Sequence, residues 1–240
     1  MEKQTDNFNK FLFENSPGLD LHIIDRPAKK QDTKEILINA GEHLLGQKGV
    51  AGFSLREVAL FAGLNSNNIV QYHFGNKKGL ITAILNNRAE RMMAFRKRLA
   101  EEMLSSSLTV RGALLLLWLP RMSFKDSEGC HPFCRFLLQL CVHPNVKDYP
   151  LMRYYDEAVV GHQSNLEQTD QYILQALDCL RAHYSHLSET TFEQRLAVLN
   201  LAHLTSVVSS DTARKIKATD IEYYDMDFMV DFAVGTLSGL

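Results

Sequence analysis

Cysteine and proline are scarce in this chain, with four and six in 240 residues, and tryptophan occurs once. So few thiols in a chain of this size do not make a disulfide scaffold, and the fold must rest on a buried apolar core, which the length can supply. No apolar run approaches the roughly 20 residues that span a bilayer, and the longest candidate, Ala113 to Leu119, runs into Pro120. The start, MEKQTDNFNK, has neither the basic opening nor the apolar stretch of a secretory leader, so a cytoplasmic address and no membrane partner are expected. GxSxG, HExxH, P-loop and dinucleotide-binding glycine patterns are missing too, which argues against an enzyme. Cys130, His131, Cys134, Cys141 and His143 crowd together, but not at the spacing of a zinc ribbon or finger, and neither a metal nor another cofactor is expected.

Net charge is small as well, −2 overall, but it is unevenly placed. Residues 29–100 hold twelve Lys and Arg against five Asp and Glu, whereas residues 101–240 hold eleven against eighteen. A +7 segment joined to a −7 segment suits contact with a polyanion at one end only. Inside the basic segment runs SLREVALFAGLNSNNIVQYHFGNKKGL, residues 54–80. The apolar spacing of Leu55, Val58, Ala59 and Ala62 predicts a helix from Ser54 to Ala62, its first turn capped by the Ser54 hydroxyl and Arg56 and Glu57 outside. Gly63 permits a tight reversal and Leu64 seals it. A second helix, roughly Asn65 to His73, commits Ile69, Val70 and in one reading Tyr72 to packing, and exposes Asn65, Ser66, Asn67, Asn68, Gln71 and His73. Amide side chains match adenine edges in the major groove, and the whole has the layout of a helix-turn-helix. Taken alone, the SNN stretch favours a turn, because Asn and Ser compete for the backbone.

YHFGNKKGL resembles the hinge that closes the DNA-binding domain in the TetR family of bacterial transcription regulators, and the resemblance extends over about residues 32–85, from a first amphipathic helix through GQKGVAGFS to the hinge. From Gly63 to Phe74 the chain runs one residue longer than the commonest family pattern. The resemblance implies that Tyr72 and His73 contact phosphate or base, that Phe74 packs, that Lys77 contacts phosphate, and that Arg56 approaches the groove from the supporting helix. It also implies a homodimeric regulator, a ligand-responsive repressor, on a palindromic operator. A DNA-binding architectural or partner-binding protein with a filled body is the alternative, and an α-helical enzyme the remoter one.

The expected fold is all-α: an extension at 1–31, a three-helix DNA-binding head at 32–80, and a helical ligand-binding and dimerisation body at 81–240 reached through a long fourth helix. Helices are predicted at about 32–48, 76–103, 110–122, 132–142, 151–184, 191–210 and 225–240, separated by Gly, Pro and Ser punctuation. Trp118, Met122, Phe133, Arg135, Phe136, Leu137, Leu140, Tyr154 and Tyr155 are the candidate lining of an effector pocket, which would take an apolar or amphipathic molecule. Leu196, Leu199, Ala202, Val207, Phe228, Phe232 and Leu237 are the candidate dimer surface.

Overall fold

Nine helices and no strand make up the described residues, which in this computed structural model are 32–65, 68–103, 108–143, 171–216 and 225–239. In chain order they are α1 Thr33–Lys48, α2 Leu55–Phe61, α3 Ile69–Phe74, α4 Lys77–Met103, α5 Val110–Met122, α6 Pro132–Cys141, α7 Gln171–His183, α8 Glu189–Lys215 and α9 Met226–Ser238. The all-α class is the one the periodicity predicts. The expected extension at 1–31, the first part of the expected 151–184 helix, and Ser66, Asn67, Tyr154 and Tyr155 lie outside the described residues.

Caps set the helix ends. Asp32 accepts from the Lys34 amide at 3.0 Å to start α1, and Thr109, Ser188 and Asp225 play the same part for α5, α8 and α9. Pro120 sits inside α5 and cannot donate to the Leu116 carbonyl one turn back. That carbonyl accepts instead from Arg96 Nε of α4 at 3.0 Å, so the group freed by the proline is satisfied by a neighbouring helix and ties α4 to α5.

The apolar residues gather in two clusters. One joins α1, α2, α3 and the first turns of α4 to Phe124, α6 and the C-terminal half of α8. It runs without a break across residue 80, and α1 lies directly on α6. The other joins the end of α4 to α5, α7, the first half of α8 and α9. A buried ion pair pins the first cluster: Arg88 Nε of α4 lies 2.6 Å from Glu42 Oε2 of α1, Arg88 Nη2 donates to Asn39 at 2.8 Å, and the guanidinium lies over the Phe124 ring at 4.9 Å.

Candidate nucleic-acid interface

The segment 54–80 folds into α2, a turn, α3, and a hinge into α4. Ser54 and Glu57 form a reciprocal cap: the Glu57 amide donates to Ser54 Oγ at 3.2 Å and the Ser54 amide to Glu57 Oε2 at 2.8 Å. Lys48, at the end of α1, reaches Glu57 Oε1 at 2.6 Å and fixes α2 against α1. With Lys48 as the largest cause and the Ser54 hydroxyl and amide after it, the Glu57 carboxyl is held down to about 2. After α2 the Leu64 amide reaches back to Ala59 O (2.9 Å) and the Gly63 amide to Leu60 O (3.0 Å), with Gly63 at φ +70, a left-handed helix stop.

The helix that follows is shorter than its sequence suggests. It starts at Ile69 rather than near Asn65, with Asn68 as its cap residue. Asn65 and Asn68 thus stand before the helix, where short amide side chains are at home, and Gln71, Tyr72 and His73 stand on it. Val70 alone in α3 is fully buried, while Ile69 and Phe74 pack partly against the same core. Asn65, Asn68, Gln71 and Tyr72 are exposed, Tyr72 at 83%, and its ring meets the edge of His73 at 5.1 Å. Arg56 is exposed on α2.

The hinge is tight. Asn76 Oδ1 accepts from the Gly79 amide at 2.9 Å and opens α4. A Cβ on Gly79 would stand 1.9 Å from the Phe74 carbonyl oxygen, so the close passage of α3 over α4 requires glycine there. Lys77 Nζ lies 4.8 Å from the Phe53 ring and 3.4 Å from the Val50 carbonyl, which places its charge beside the turn after α1 as well as at the head's surface. The sequence reading did not name Gly79 or the Glu57 half of the cap, although Ser-x-x-Glu ahead of an apolar run is itself a legible signal.

The body candidates separate by burial. Trp118, Phe133, Phe136, Leu137 and Leu140 are core residues, Met122 packs partly against the core, and Arg135 is half-buried beside a polar cavity. Trp118 stacks on His203 with ring centroids 4.6 Å apart, and Trp118 Nε1 and Arg121 Nη2 both donate to Asn200 Oδ1, at 3.1 and 2.8 Å. Burial, the largest cause, holds the His203 imidazole well below its ordinary range. Among the dimer candidates, Leu196, Leu199, Val207 and Leu237 are enclosed in the chain's own core, Ala202 is half-buried, and Phe228 and Phe232 are exposed. Arg195 Nη1 donates to the Thr236 and Leu237 carbonyls, and Ser206 lies against Met229, so α8 and α9 run antiparallel. That brings exposed Val198 and Leu201 near the level of Phe232, whose ring stacks with Phe228 at 6.4 Å.

No helix among the described residues is long and apolar enough to cross a membrane. No known family profile matches the chain, and neither does any curated sequence. A crystal structure of a presumed transcriptional regulator from Pseudomonas aeruginosa PAO1 aligns over 88% of this chain and 91% of its own at 15% identity, with a TM-score of 0.35. A likeness at that level leaves the function to be argued from the chain's own residues.

Proposed function

We propose that the chain is a homodimeric DNA-binding transcriptional regulator, a repressor of TetR type that reads a palindromic operator through α3 and the residues just before it. The observation that carries the reading is the exposed set of Asn68, just before α3, and Gln71 and Tyr72 on it, in a helix where Val70 alone is fully buried and which lies between the reciprocally capped α2 and a tight glycine hinge. A helix of six residues that turns Gln71 and Tyr72 to solvent offers an outer face for recognition, and the +7 segment around it supplies the attraction to phosphate. Asn65, Ser66 and Asn67 are the other candidate base contacts, with His73 toward base or phosphate, Arg56 at the edge of the groove, Lys77 toward phosphate, and Ser54 a further candidate whose hydroxyl already serves the Glu57 cap.

Val198, Leu201, Phe228 and Phe232 supply the apolar face for a second copy, in place of the enclosed Leu199. Such a pairing would set two α3 helices about one DNA turn apart, roughly 34–36 Å, on one side of the duplex. An apolar or amphipathic effector that favours another separation would weaken DNA binding by the same coupling free energy with which DNA weakens its own binding. A second reading, a DNA-binding protein with a filled and unresponsive body, is favoured by the membership of Trp118, Phe133 and Phe136 in the core.

Selection of random duplexes on the purified chain tests the proposal. Enrichment of a palindrome with half-sites about one turn apart supports it, and recovery of unrelated sequences alone overturns it. Release of the selected duplex by an apolar compound separates the responsive reading from the unresponsive one.

A further inference from the structure

The five residues that precede α6 by way of His131 form a closed loop whose side chains converge. The Asp126 amide donates to Cys130 O at 2.9 Å, the Gly129 amide to Asp126 O at 2.9 Å, and Asp126 Oδ1 accepts from the amides of Glu128 (3.0 Å) and Cys130 (2.8 Å). The closure brings a carboxylate oxygen of Asp126, one of Glu128 and the Cys130 sulfur within 4.8 Å of one another. Donors around one tetrahedral ion of zinc type stand about 3.5 Å apart, from bond lengths of about 2.0–2.3 Å. A small rotation of the exposed Glu128 side chain closes that difference.

A second observation is independent of the loop. His131 is more than nine-tenths buried, and its Nδ1 lies 3.0 Å from Asp211 Oδ1 while its amide donates to Asp211 Oδ2 at 2.7 Å. Its Nε2 is buried with no hydrogen-bond partner. A carboxylate beside Nδ1 is the partner that orients a His ring to bind through Nε2 at metal centres. A buried polar atom left unsatisfied is costly, which makes it a pointer to a bound species. His131 edges the same small cavity as Asp126 and Cys130, together with His43 and Gln47 of α1 and Lys215 of α8. The cavity, about 20 Å³, has room for about one water-sized species and none for an organic effector.

We propose that this loop binds one divalent transition metal ion, with Asp126, Glu128 and Cys130 as ligands and His131 Nε2 accepting from the water that completes the site. One thiolate with two carboxylates selects a borderline ion such as Zn²⁺ or Co²⁺ over Mg²⁺ or Ca²⁺, which prefer oxygen alone. The metal displaces the Cys130 thiol proton, which leaves to solvent as the sulfur–metal bond forms. The ion also displaces Lys215 Nζ, now 3.0 Å from Glu128 Oε2, an exposed pair whose loss costs little. The site goes beyond the DNA reading and lies where α1, the loop and the end of α8 meet, so occupancy would bear on how the head sits on the body.

Titration of the purified full chain with Co²⁺, free of DNA, tests the proposal independently of operator binding. The expected result is one Co²⁺ per chain with a thiolate-to-cobalt charge-transfer band. Cys130→Ser abolishes the band, whereas Cys141→Ser and Cys179→Ser keep it. Glu128→Gln, at an exposed position that leaves the fold intact, weakens Co²⁺ binding at least tenfold. No uptake of Co²⁺ at micromolar protein, a band that survives Cys130→Ser, or an affinity unchanged by Glu128→Gln would each overturn it.

Discussion

Helices α3 and α5 are opposites. Every residue of α5 from Gly112 to Arg121 is buried, while α3 buries Val70 alone and turns Gln71 and Tyr72 to solvent. α5 is held by the area it buries, and its sequence could change only within a narrow range of volumes. α3 is held by its neighbours: the left-handed stop at Gly63 sets the turn before it and the Gly79 passage the hinge after it, while the Ser54 cap and the Lys48–Glu57 link fix the α2 it follows. A helix secured from outside its own sequence leaves its exposed positions free to vary, as the proposed recognition role requires.

Substitutions on the buried side should break the fold before they touch function. Glu42→Ala leaves the Arg88 guanidinium enclosed without its counter-charge, and removal of one partner of a buried pair costs about 3–5 kcal/mol. An unfolding free energy in urea lowered by that amount is expected. Leu199 and Val198 sharpen the contrast at the scale of one residue. Leu199→Ala, in the core, should cost about 2–5 kcal/mol of stability and leave assembly alone. Val198→Glu with Phe232→Glu, both on the exposed face, should leave stability within about 0.5 kcal/mol in the monomer and convert dimer to monomer in sedimentation velocity. A wild-type chain that sediments as a monomer at micromolar concentration would remove the proposed pairing.

The supports of α3 should show smaller effects. Ser54→Ala removes the cap of α2 and is expected to cost about 1 kcal/mol, with a greater loss of operator affinity than of global stability. The Glu57 carboxyl gives the smallest signal. Because its folded pKa is depressed, its contribution is complete above the ordinary value of 4.5 and is lost as pH falls toward about 2. Its carboxyl resonance should titrate near 2 in the intact chain and move up toward the ordinary range in Lys48→Ala.

The same contrast decides what could be read in advance. The bounds of α5 were legible to the residue, because Thr109 and the apolar run from Ala113 to Leu119 mark it by composition alone. α1 and α4 were equally clear from Asp32, Gly49 and Asn76. The start of α3 was not, since Asn65 to Asn68 suit both a helix edge and a turn, and only the path of the chain decides between them. Periodicity placed Leu196, Leu199, Val207 and Leu237 on apolar stripes but could not say which stripe faces the chain's own core and which faces outward. The pairing of His131 with Asp211 joins residues 80 apart and leaves no local mark in the sequence.

The central claim is that α3 and Asn68 just before it read bases. Its most direct test is the ratio of affinities for the selected duplex and for unrelated DNA, measured at one salt concentration for the wild type and for the Asn68→Ala, Gln71→Ala double variant. The account predicts a discrimination free energy smaller by about 1–3 kcal/mol for each amide that contacts a base, with binding to unrelated DNA unchanged. An unchanged ratio, with Tyr72 still exposed and the fold intact, would contradict it.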